Sequence, residues 1–162
     1  MTELESINTL LSVIGEAPVD ALPSLTQNDI TDAALARKTL TEVKRDVLAE
    51  GWSWHTDLNY PAQKTANDEF TLPSDTLRVT FMPSSQPHMN YVQRGLKIYD
   101  KAKRKFDFGA DVDKVVVDQL VRNLDWDECP HAGQQYITIR AARIYSDRFI
   151  NSNVIYQYTT TD

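Results

Sequence analysis

The chain has 162 residues, a formal net charge of −6 at pH 7 and a single cysteine, Cys129. That length suits one domain with a real core, while the absence of any long apolar run excludes a membrane-spanning helix and the lone cysteine excludes an intramolecular disulfide framework. The acidic balance argues against a protein that grips nucleic-acid phosphates, which needs a basic excess, yet it permits one that surrounds DNA and lets it slide.

The start, MTELESINTLL, has an acidic, capped-helix character rather than that of a basic signal peptide. Leu4, Ile7, Leu10, Leu11 and Ile14 fall on one face of a first helix, with Thr2 and Glu5 spaced as a capping box. Gly15 followed by Pro18 makes a plausible stop. After a loop to about Asn28, a second helix is expected over Asp29–Glu50. Its inner stripe is Ala33, Ala36, Leu40, Val43 and Val47, a 3-4 spacing that suits shallow-angle packing, and Gly51 ends it.

From Trp52 the pattern turns to short strands. A Pro73-Ser74-Asp75 turn precedes the alternating Leu77, Val79 and Phe81. YVQRGLKIYD (Tyr91 to Asp100) reads as a tight hairpin turning at Arg94-Gly95. Lys101 to Lys105 (KAKRK) is most simply a solvated turn, with an acidic partner surface or nucleic acid as its alternative contacts. Val115 to Leu124 is the longest strand candidate, interrupted by Asp118 and Arg122 and so expected to be half buried.

Pro130 suits the first position of a third helix, with Asp127 and Glu128 near its positive end. Ile137, Ala141, Ala142, Ile144, Tyr145 and Phe149 define its inner face, while Tyr136, Ile139 and Ile150 lie on the other side among Arg140, Arg143 and Asp147. A helix apolar on both sides is usually covered on both. The second cover is either another subunit or the β segment. Arg148, near the edge of the inner face, calls for a carboxylate, and Glu42 or Asp46 is the expected partner in a structural ion pair. The tail from Asn151 has weak helical character, and the closing TTTD reads as a fraying end.

The layout predicts a single α+β domain over residues 1–162. A helical bundle (1–51 and 128–158) of two amino-terminal helices and one carboxy-terminal helix carries an inserted small antiparallel β region (52–127).

Chemistry is thin. His55, His88 and His131 are scattered, with no spacing that would hold a metal, and the five glycines form no phosphate-cradling loop. Cys129 and His131 flank Pro130, but side chains at a helix start diverge, and a buried structural cysteine is the plainer account. Asp111 with Asp113, and Asp125 with Asp127 and Glu128, are candidate acid and base pairs of a glycoside hydrolase, with Trp52, Trp54 and Trp126 as sugar-stacking surfaces. Turn and helix-start roles for these acids, and tryptophans that pin β to α, are the simpler account.

Five elements in fixed order carry a resemblance: IGEAPV (Ile14 to Val19), EGW (Glu50 to Trp52), the Pro73-Ser74-Asp75 turn, YVQRGLKIYD, and DECP leading into an aromatic, basic helix. With them the chain, from NTLLSVIGEAPV to Arg148-Phe149, resembles the tail tubular protein A family of short-tailed bacteriophages. The resemblance implies a structural virion protein, a head-to-tail adaptor without catalytic residues or cofactors, assembled in the host bacterial cytoplasm. It implies a dodecameric ring of copies below a portal protein, a tail nozzle protein beneath, tail fibres docking near that junction, and double-stranded DNA passing through without sequence-specific binding. No membrane partner is implied. Family members usually continue past this point with charged helical sequence, so the chain is either a short member or an incomplete one.

Within that reading, Tyr136, Arg140 and Arg143 are the expected subunit or partner contacts, and Lys103, Arg104 and Lys105 the expected patch for an acidic partner. The competing readings are a tail-associated capsule or exopolysaccharide hydrolase and a monomeric binding module.

Overall fold

The structure, a computed structural model, describes residues 1–24, 31–82 and 90–159. Among the described residues it is an α+β fold of three helices and two antiparallel sheets, the class that the layout predicts. The chain divides into two compact units, Met1–Val47 with Asp125–Asp162, and Leu48–Leu124.

In the helical unit, α1 (Glu3–Val13) opens on the expected capping box. The Thr2 N–H donates to Glu5 Oε2 at 2.7 Å, and the Glu5 N–H donates to Thr2 Oγ1 at 3.1 Å. At its other end the N–H groups of Gly15 and Glu16 return to the carbonyls of Ser12 and Leu11, which satisfies the last turn. The second helix, α2, is shorter than its apolar pattern suggests. It spans Asp32–Ala49, because the Thr31 hydroxyl accepts from the Ala34 N–H at 3.2 Å and starts the helix there. Asp29, the expected first residue, lies outside the described residues.

The third helix, α3 (His131–Thr159), begins one residue later than expected. Pro130 is the cap whose carbonyl accepts from Gln134, not the first helical residue. Upstream, Trp126–Glu128 form a 3-10 turn of their own, in which the Asp125 N–H donates to Glu128 Oε2 at 3.0 Å. Closure of that turn delays the helix.

The core of this unit joins Ile7, Leu10 and Leu11 of α1 to Ala36, Leu40, Val43 and Val47 of α2 and to Ile137, Ala141 and Tyr145 of α3. Among the described residues its buried polar groups are paired. Thr138 Oγ1 lies 3.0 Å from Ser6 Oγ, the Trp126 indole donates to the Met1 carbonyl at 3.0 Å, and Tyr145 donates to the Asp32 carbonyl at 2.9 Å.

In the β unit, β1 (Thr56–Pro61), β7 (Val116–Arg122) and β4 (Thr76–Thr80) form one sheet in the order β1-β7-β4. β2 (Gln63–Lys64), β3 (Phe70–Thr71), β6 (Lys97–Asp100) and β5 (Tyr91–Arg94) form the other, in the order β2-β3-β6-β5. Both sheets feed one core. Phe70, Ile98 and Phe108 pack with Val115, Val117 and Leu120, and the Phe70 and Tyr91 rings meet Phe108 edge-on at 5.1 and 5.0 Å.

The hairpin turns one residue later than its sequence suggests. Arg94 pairs with Lys97, so the two-residue loop is Gly95-Leu96, with Gly95 at φ +61° as its first residue. The three tryptophans do not share one structural role. Trp126 is buried in the helical core, whereas Trp52 is 44% exposed.

Candidate assembly surfaces

The outer side of the helical unit carries an apolar stripe with a basic edge. Val13 of α1 is 49% exposed, and Tyr136, Ile139 and Ile150 of α3 are 45%, 57% and 54% exposed. The inner face of α3 uses Ile137, Ala141, Ala142 and Tyr145, so the i, i+3 offset from Tyr136 to Ile139 places these two on the opposite side. Arg140 is half-buried beside them and Arg143 exposed. Tyr136, Ile139, Arg140, Arg143 and Ile144 line a shallow depression of about 360 Å³. A second depression of about 480 Å³ runs over Thr9, Val13, Ile139, Ala142 and Arg143. The three residues singled out on α3 thus share one surface with an apolar patch. Sequence reasoning missed Val13, although its position off the α1 stripe was the available signal.

Arg148 lies elsewhere on α3. Its Nη1 donates to Glu42 Oε2 at 2.9 Å and to Thr39 Oγ1 at 3.2 Å. Both side chains of the ion pair are well exposed, at 57% and 42%, so the pair adds little stability.

The second surface is the basic turn that follows β6. Lys103, Arg104 and Lys105 are exposed in the turn after β6. On the hairpin itself the Arg94 guanidinium stacks 3.6 Å from the centroid of Tyr99, which meets Phe106 at 5.0 Å. Lys97 pairs with Glu69 at 2.6 Å.

Of the groups considered for catalysis, His55, Cys129, Asp125 and Glu128 hold structural contacts. His55 is buried, its Nε2 2.6 Å from the Leu48 carbonyl, whereas His131 is exposed at the start of α3. His88 lies outside the described residues. Burial pushes the Cys129 thiol up from its ordinary value, and its Sγ donates to the Asp125 carbonyl at 3.4 Å, the setting of an inert cysteine. Asp111 and Asp113 belong to the β unit, whereas Asp125 and Asp127 belong to the helical unit.

The family model for tail tubular proteins matches residues 4–162, and the chain belongs to that family. No curated protein sequence matches it. The protein is therefore a structural component of a bacteriophage tail and not an enzyme, which removes the hydrolase reading of its carboxylates.

Proposed function

We propose that this tail tubular protein is the head-to-tail adaptor of its virion, closing into a ring of identical copies between a portal protein and a tail nozzle protein. The observation that carries the reading is the apolar surface of the helical unit, where Tyr136, Ile139 and Ile150 are each about half exposed. Large apolar side chains gathered on one helix face, with Arg140 and Arg143 at the edge, have the character of a protein interface. A closed ring covers one such face on every copy by contact with its neighbour.

In this reading the helical part and the β insertion act as one adaptor domain. The net charge of −6 suits the wall of a conduit, because double-stranded DNA passes a surface that does not hold its phosphates. Tail fibres would dock from outside, and assembly would take place in the host cytoplasm.

Light scattering on the purified protein, alone and mixed with its portal, tests the proposal. A ring-sized particle in either sample is the expected result. A monomer that ignores the portal would overturn it and favour a monomeric binding module.

A further inference from the structure

Residues 94–105 hold six of the chain's 17 lysines and arginines against one acid, Asp100. The segment carries +5 in a chain whose total is −6, which leaves −11 on all other residues. Four of these cations, Lys101, Lys103, Arg104 and Lys105, lie in the turn after β6, which is firmly built. Asp100 is 4% exposed, and its Oδ1 accepts from the N–H groups of Ala102 and Lys103 at 2.8 and 3.1 Å. Asp100 and Lys105 also exchange backbone hydrogen bonds, at 3.0 and 3.3 Å.

Inside this frame Arg104 sits at φ +57°, a region that disfavours any Cβ and suits glycine or asparagine. An arginine held where glycine fits better points to a use for its guanidinium. Lys101, Lys103, Arg104 and Lys105 are all exposed. Among the described residues, the carboxylate contact in this group is that of Lys105 with Asp107, at a long 3.7 Å. Four cations therefore stand on a pinned turn with little local neutralisation.

We propose that this turn docks on the acidic helical unit of a second copy of the chain, an inference that rests on the self-assembling adaptor reading above. Charge selects the occupant. Residues 1–47 and 125–162 hold 13 acids against 7 lysines and arginines, whereas residues 48–124 hold 10 of each, so the helical unit carries the entire net charge. Its densest acidic stretch, Asp125, Asp127 and Glu128, is exposed. In a ring of identical chains every basic turn meets a neighbour at high effective concentration. DNA fits less well, because four phosphate-binding cations repeated around a ring would clamp the duplex that a conduit must release.

The test uses the full chain, with and without portal, as wild type, as Lys101→Glu with Lys103→Glu, and as Arg104→Gly, which removes a charge and suits the turn's backbone. Circular dichroism confirms that each variant is folded. The double reversal is expected to weaken ring formation about tenfold or more, since each reversed exposed charge replaces attraction with repulsion. Arg104→Gly is expected to weaken it less, and wild-type rings to loosen as salt rises from about 0.05 to about 0.5 M. A zero-length carbodiimide, applied to rings mixed from isotopically light and heavy chains, should join Lys101, Lys103 or Lys105 to carboxylates of the helical unit on a different copy. Rings that form equally well with the double reversal, or that lack these cross-links, overturn the inference and leave the adaptor reading standing. A wild type that never assembles, even with portal, defeats both. If the double reversal lowers retention of double-stranded DNA while assembly is unchanged, the occupant is phosphate and the inference fails.

Discussion

Arg122 and Asp75 meet at 2.8 Å, and the same guanidinium reaches Asp57 at 2.6 Å through its Nε. Arg122 closes the central strand β7, Asp57 lies on β1, and Asp75 sits in the turn that leads into β4. One side chain thus ties the ends of all three strands of that sheet. The planar fork suits two carboxylates at once, and its hydrogen bonds to them hold its proton more tightly than an ordinary arginine does. Arg122→Met should cost about 1–2 kcal/mol, because it removes two charge-assisted contacts while water still solvates the half-exposed acids. Arg122→Lys should recover only part of that, having no fork. Urea unfolding of the three proteins decides the matter, and a methionine variant as stable as wild type would show that the contact is idle.

Gly51 ends α2 at φ +83°, and a Cβ there would meet Arg78 Nη2 at 2.6 Å and Val121 Cγ2 at 3.3 Å. Arg78 can swing aside, since its contact with the Glu50 carbonyl is a weak 3.4 Å, but the backbone strain remains. Gly51→Ala should therefore destabilise by about 1–2 kcal/mol. Thermal melts of Gly51→Ala and Gly51→Asn separate the two causes. Asparagine tolerates a positive φ better yet carries the same Cβ, so a milder effect in Gly51→Asn shows that backbone strain outweighs crowding against Arg78 and Val121.

Tyr145 is 4% exposed, and burial, with Asp32 and Glu16 nearby, pushes its phenol up to about 12. Because the folded value lies above the unfolded one, near 10, its contribution is fully present below pH 10 and is lost as pH rises through about 12. The fall should be on the order of 2 kcal/mol. Burial raises Tyr91 and Cys129 as well, so the alkaline decline is shared. Tyr145→Phe should lose about 1 kcal/mol at pH 7, from its hydrogen bond to the Asp32 carbonyl, and decline less steeply above pH 10. Denaturant titrations at pH 7, 10 and 11.5 check this, and equal slopes in the two proteins would refute it.

The outer face of α3 should be dispensable for folding and required for assembly. Ile139 is 57% exposed, so Ile139→Asp should change unfolding stability by no more than about 0.5 kcal/mol. In a ring interface the buried aspartate would be severely disfavoured, so the same variant should stay monomeric beside a portal that recruits wild type. Charge reversal at Arg140 and Arg143 should act in the same direction. Normal ring mass for both variants would place the subunit contact elsewhere.

The sequence by itself determined what is local. The capping box of Thr2 and Glu5, the inner stripes of α1, α2 and α3, and the α+β layout were all legible, because caps and helical faces depend on residues three or four positions apart. Tertiary structure decided the rest. Arg122 looked like an interruption in a strand, because its partners Asp57 and Asp75 lie 65 and 47 residues away in sequence. Of the four-stranded sheet only the β5–β6 hairpin was legible, since β2 and β3 hold two residues each, too few to show any periodicity. The hairpin's turn fell one residue from its expected place, because pairing of Arg94 with Lys97 leaves Gly95-Leu96 as the loop, with Gly95 supplying the positive φ at its first position. On α3 the sequence showed an inner face and a second apolar one, and only folding decided that Tyr136, Ile139 and Ile150 of the second stay exposed. Burial depends on what packs in three dimensions, whereas periodicity reports only which residues share a side.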